Sequence, residues 1–362
     1  MMNKSALMAA LFLALACSPG ETTPKEALRA RLTAFAESGK PAYGHQDDLV
    51  YGHAWTVTDL ENDPLDRSDV RDVCGAYPMV LGLELGGIEK GDARNLDGVP
   101  FDLMRRAARI HTERGGIVTL SWHPDNPATG GTAWDVSSKE VVACVLEGGL
   151  KHEMFMDWLC RAADFVESLE VPVIFRPWHE NVCSWFWWGG ELCTPEQYRA
   201  LYRMTYDYFT RERGLQDILW CYSPNGDAGA KAYMETYPGD DIVDILGIDT
   251  YANAPGDGNW ERAGKAYIRE IKENLGYLTG LGTGHKKLIA LTETGLEGIP
   301  DPHWWMERLL PAIDGFPIVY VLTWRNAWDR PGHFYGPWDG FENAGDFKEM
   351  KDTGRLTFLE VK

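Results

Sequence analysis

Positive charge is scarce in this sequence. Across 362 residues, 35 Lys and Arg face 54 Asp and Glu, a net charge of -19. Long-range repulsion of a polyanion excludes a nucleic-acid partner. Long hydrophobic runs are missing too: the apolar stretch from Leu7 to Ala16 has ten residues, too few to cross a bilayer as a helix. No C-x-x-C pair argues for zinc or redox chemistry, and no G-x-G-x-x-G for a dinucleotide. His45, His53, His123 and His179 lack H-x-H or H-E-x-x-H spacing, so no metal site is expected, and no G-x-S-x-G supplies a serine nucleophile. What remains is 44% hydrophobic and 25% charged, an ordinary globular composition. Its oddity is 15 Trp, several of them clustered. Indoles in loops offer flat faces for stacking on sugar rings, and packing in a large core is the alternative.

The amino terminus is expected to be a targeting segment. Lys4 followed by the short apolar run fits a signal peptide over residues 1–16. Leu15-Ala16-Cys17 resembles a bacterial lipoprotein box, so Cys17 would carry the lipid and tie the exported protein to a membrane, facing the periplasm or the cell surface. Residues 17–38 are then a lipid-anchored tether and an N-terminal helix, and residues 39–362 the catalytic domain. The other six cysteines permit up to three disulfides, and Cys183 with Cys193 is the first expected pair, because a bridge there would stiffen a Trp-rich loop.

Eight short apolar runs rich in β-branched or aromatic residues centre near Gly44, Leu81, Val118, Ile174, Leu219, Ile245, Ile289 and Val319. Helical periodicity separates them. Phe155, Trp158, Leu159, Ala162, Val166 and Leu169 share one helix face, as do Tyr198, Leu201, Tyr202, Thr205, Tyr208 and Phe209. Thr194-Pro195-Glu196-Gln197 supplies a capping box, and Asp301-Pro302 is expected to open a later helix in the same way. Strand alternating with helix eight times predicts a single (β/α)8 barrel, an α/β fold, with the stretch between Leu219 and Ile245 leaving room for only a short helix. A doubly wound sheet is the competing topology.

Polar residues gather at the C-terminal ends of these runs, the face on which barrel enzymes place their sites. They include His45 to Asp48, His123, Arg176 to Glu180, Asp249 to Tyr251, Glu293 and Trp324 to Asn326. Glu180 and Glu293 end runs four and seven, so they can face each other across the mouth. Glycoside hydrolysis needs such a pair, one carboxyl protonated and one ionised. Ion pairing with Arg176 or Arg325 is the plain structural alternative for either Glu.

The segments RPWHENVCSWFWWGG, SWHPDNPATGGTAW, YGHQDDLVYG, DTY, TETG and TWRN resemble the signature segments of glycoside hydrolase family 26, the β-mannanase family, in the expected order. The resemblance implies a (β/α)8 barrel with Glu180 as acid/base on strand four and Glu293 as nucleophile on strand seven. His179, where related barrel glycosidases commonly carry Asn, favours this family over its cousins. Trp185 and Trp324 are implied as sugar platforms, Tyr251 as hydrogen-bond partner of the nucleophile, and His123, Trp134 and Arg325 as substrate contacts.

The implied reaction is retaining, endo-acting cleavage of β-1,4-mannosidic bonds in mannan, galactomannan or glucomannan, by a monomer without cofactor. The same family also holds enzymes of mixed-linkage β-glucan and β-1,3-xylan. A non-catalytic glycan-binding lipoprotein is the alternative from another class, and two intact Glu residues argue against it.

Overall fold

The computed structural model describes residues 22–226 and 229–360; the expected signal peptide and Cys17 lie outside them. Eight parallel strands close into a barrel: β1 (Ala42–Gln46), β2 (Val80–Glu84), β3 (Ile117–Trp122), β4 (Val173–Pro177), β5 (Ile218–Tyr222), β6 (Ile245–Asp249), β7 (Leu288–Thr294) and β8 (Ile318–Thr323). Each hydrogen-bonds to its sequence neighbours, and β1 closes on β8. Every expected strand centre falls inside its strand, and no doubly wound order is present. The strands read as apolar runs because helices cover one side while the barrel's own interior buries the other. Gly82 of β2 marks a close approach: a Cβ there would meet Gln46 Oε1 at 1.9 Å.

The helices keep the expected faces. Phe155, Trp158, Leu159, Ala162, Val166 and Leu169 are buried along the helix His152–Leu169. Thr194 and Gln197 form the capping box of Pro195–Asp207, which continues as a π-turn at Tyr208–Glu212. A helix at Pro24–Ser38 has its own capping box from Thr23 and Glu26, and Lys25 pairs with Asp244 at 2.9 Å. Among the described residues, the β5–β6 connection carries the short helix Gly229–Glu235.

Three expectations change. Asp301-Pro302 does not cap a regular helix: a π-turn begins at Trp304, and Asp301 instead accepts from His303 N and Arg308 Nε. Cys183 and Cys193 are not bridged. Cys183 Sγ accepts from Asn225 Nδ2 at 2.9 Å, while Cys193 Sγ donates to Trp188 O at 3.3 Å, so hydrogen bonds fix the loop that a disulfide was expected to fix. The tryptophan excess is mainly core. Trp122, Trp178, Trp187, Trp188, Trp220, Trp304 and Trp305 are fully buried, and only Trp134, Trp185 and Trp328 are exposed. The large flat ring that suits a sugar also fills a wide barrel rim.

Candidate active site

Two backbone irregularities aim the acidic side chains. Past the end of β4, Trp178 and Glu180 adopt φ of 57° and 53°, the left-handed region that costs a non-glycine residue energy. Surrounding bonds hold them there: Tyr198 donates to Trp178 O at 2.7 Å, and Glu180 N donates to Ser223 O at 2.9 Å. In β7 the register with β6 slips between Ile248 paired to Leu291 and Asp249 paired to Glu293. The extra residue is a bulge, a device that re-aims a side chain beside a site.

Glu293 is 3% exposed. Its Oε1 pairs with Arg176 Nη2, and its Oε2 accepts from Tyr251 OH at 2.7 Å. Arg176 also bonds Asp249 Oδ2 at 2.9 Å and Ser223 Oγ at 3.1 Å. Burial works against the guanidinium's charge, but Asp249 and Glu293 outweigh it and hold its pKa well above the usual value. Burial, then the negative charge of Glu293, raises the Tyr251 phenol, which keeps the proton it donates.

Glu180 sits opposite, partly open to the mouth. Its Oε2 accepts from Trp185 Nε1 at 2.7 Å. One carboxylate oxygen each from Glu180, Asp249 and Glu293 lie within 4.8 Å of one another. Burial first, and the charge on Glu293 second, push the Glu180 carboxyl up to about 7. It can therefore hold a proton at neutral pH and also release it. Among the described residues this is the one acidic, His or Cys trio close enough to hold a cation, and Arg176 already supplies positive charge to two of its members.

The remaining residues named from the sequence divide by exposure. Trp134, 51% exposed, stacks on His123 with ring centroids 5.3 Å apart and planes 12° apart. Trp185 keeps 40% of its surface open, and Trp324 meets the His123 ring edge-on at 6.3 Å. His123 and His179 are buried with Nε2 to Nε2 at 3.0 Å, and His179 Nε2 lies 4.0 Å from Glu293 Oε1. Arg325 is buried and already paired, to Asp97 Oδ1 at 2.8 Å and Tyr51 OH at 3.2 Å, on the β1–β8 side of the mouth.

The structural alternative for Glu293, pairing with Arg176, is realised, whereas Arg325 pairs with Asp97. Sequence reasoning passed over Glu84, whose signal was a lone acid ending an apolar strand, and left Asp249 without a role. It also missed Phe186, packed against His123, His179 and Trp134.

A closed parallel barrel with two carboxyl groups this close, at a rim with exposed indoles, defines a glycosidase of the barrel type. The model of glycosyl hydrolase family 26 matches residues 42–276, and the chain belongs to that family. It is similar to a mannan endo-1,4-beta-mannosidase of Bifidobacterium adolescentis, 29% identical over 333 residues that cover 85% of this chain and 33% of the relative. The chain thus spans about a third of that relative's length. A Bacillus subtilis mannan endo-1,4-beta-mannosidase is 31% identical, with 72% of this chain and 69% of the relative covered. Among solved structures, a β-mannanase of the family from Bacteroides ovatus aligns with TM-score 0.86 and 44% identity, covering 93% of this chain and 96% of that one.

Proposed function

We propose that this chain is an endo-acting β-mannanase that cleaves β-1,4-mannosidic bonds with net retention. One observation carries the stereochemistry: oxygens of Glu180 and Glu293 lie within 4.8 Å. A water needs carboxyl groups about 6.5–9.5 Å apart to sit between them in an inverting enzyme, whereas about 5–5.5 Å suits direct attack by one carboxylate. In the first step a Glu293 oxygen forms a bond to the anomeric carbon while Glu180 gives its proton to the departing glycosidic oxygen. In the second, Glu180 takes a proton from water, which attacks the same carbon and releases Glu293. Arg176 and Tyr251 offset the negative charge on Glu293 and orient it. Asp249 acts through Arg176 and touches no reacting atom. The mannan substrate is supported by the Bacillus and Bacteroides relatives, both of them mannanases.

The test is digestion of mannan, galactomannan, glucomannan and lichenan, with products followed by chromatography and the first anomer formed by NMR. Mixed mannooligosaccharides and an initial β-anomer are expected, and Glu293→Ala should lose about 10⁴-fold or more in kcat while staying folded. Activity confined to lichenan, an initial α-anomer, or a near-normal variant would each overturn the corresponding part.

We further propose export and lipid attachment at Cys17, supported by Lys4, the apolar run and the small residues before the cysteine. Mass spectrometry of membrane-extracted protein should find a lipidated Cys17 as the first residue; an unmodified Cys17 refutes it.

A further inference from the structure

Glu84 ends β2 inside the mouth, is 1% exposed, and has no part in the two steps above. Its oxygens accept four hydrogen bonds. Oε1 takes the backbone N–H groups of Gly86 at 2.7 Å and His123 at 2.8 Å; Oε2 takes Ser121 Oγ at 2.6 Å and His123 Nδ1 at 2.8 Å. Three of these four donors come from Ser121 and His123, so one buried carboxylate clamps one imidazole. A carboxylate so held is acceptor-only, and His123 must carry a proton on Nδ1.

His123 passes this constraint onward. Its Nε2 lies 3.0 Å from His179 Nε2, which is 4.0 Å from Glu293 Oε1. Two nitrogens that close hold one proton between them: if His123 donates it, His123 is an imidazolium, and if His179 donates it, both rings are neutral. The charged or titratable groups acting on His123 are Glu84 on β2, Asp97 in the loop after β2, His179 and Glu180 after β4, and Glu293 on β7. The rings of Trp134, Phe186, Trp188 and Trp324 also pack around it.

We propose that Glu84 is a positioning residue: acting through His123, it keeps the shared proton on that ring, so that a positive imidazolium faces Glu180 and Glu293. Burial alone would discharge His123; Glu84 first, then Glu293 and Glu180, reverse this and raise its pKa. Burial, Arg176 and His123 hold His179 neutral. The imidazolium in turn restrains the rise of the Glu180 pKa. Without Glu84 the ring loses its charge near neutral pH, and Glu180 keeps its proton to higher pH.

This inference rests on Glu180 as the acid, and the experiment separates the two. The kcat/KM of wild type, Glu84→Gln, His123→Gln and the double variant is measured on mannohexaose from about pH 5 to about pH 9, with thermal unfolding as a fold control. Each single variant should lose rate and move its alkaline limb upward, so that the ratio of rates at about pH 8 and about pH 6 rises roughly threefold. The double variant should move no further, as members of one linear chain do. A uniform loss with an unmoved limb, or additive single effects, overturns the proposal. If Glu84→Gln fails to fold, the His123→Gln limb decides alone. Glu180→Gln should remove the limb altogether; a limb that survives it overturns the acid assignment and this inference with it.

Discussion

The barrel mouth holds two acidic clusters that differ in how their charges are met and in what is left open. On the β4–β7 side, Glu180, Asp249 and Glu293 converge, with Arg176 as the cation bonded to two of them. On the β1–β8 side, Asp47, Asp48 and Asp69 are buried too, but their bonds run to β1 itself, the segment that follows it and the residues after β8. Asp69 accepts from Trp55 Nε1, His53 N and Asn326 Nδ2; Asp48 accepts from His45 Nδ1; Asp47 accepts from Tyr51 OH. Burial also raises Asp69, so a shifted carboxyl by itself does not mark chemistry. What separates the clusters is that one acid of the first, Glu180, remains partly open beside a closed partner. That opening leaves Glu180 accessible from the mouth.

Breaking the charge balance on each side sharpens the contrast. Arg176→Met leaves two carboxylates buried without their cation. It should destabilise the protein by about 3–5 kcal/mol in denaturant titration and collapse kcat as well, because Glu293 loses its orientation. Full activity in the folded fraction would remove Arg176 from the site.

Asp69→Asn, in the loop-tying cluster, should cost about 1–3 kcal/mol, since an amide presents a donor to groups that already donate. The folded fraction should keep its kcat. A specific loss of kcat would mean that the β1–β8 cluster takes part in the reaction.

The effect that vanishes at acid pH concerns Glu180. Its folded pKa of about 7 lies above the ordinary carboxylate value, so the folded state binds the extra proton. Stability from this group is therefore complete at acid pH and falls as pH rises through the window ending near 7. Glu180→Gln cannot ionise and should be more stable than wild type at pH 8, by about 1–3 kcal/mol after damping by solvent at the open side. The gap should close near pH 4. A constant difference across pH would show that Glu180 titrates normally.

Much of this was legible in the chain. Eight strands were readable because both faces of a barrel strand are buried, which writes each one as a short apolar run. The capping box at Thr194 was readable because its partners are three residues apart. Glu180 and Glu293 stood out because acids cluster with Trp and His at strand ends. The left-handed turn at Glu180 and the bulge at Glu293 were not readable: nothing local in WHEN or LTET requires them, and packing from distant segments imposes them. The Cys183–Cys193 bridge failed for the same reason, since proximity in sequence does not set where Asn225 and the Trp188 carbonyl lie.

By itself the sequence determined the periodicity, and through it the barrel and the face that carries the chemistry, because hydrophobic spacing is a local property of the chain. Only the tertiary structure decided which carboxyl keeps its proton. That depends on the field of groups more than a hundred residues apart, such as Arg176 beside Glu293, and such a field exists only once the barrel has closed.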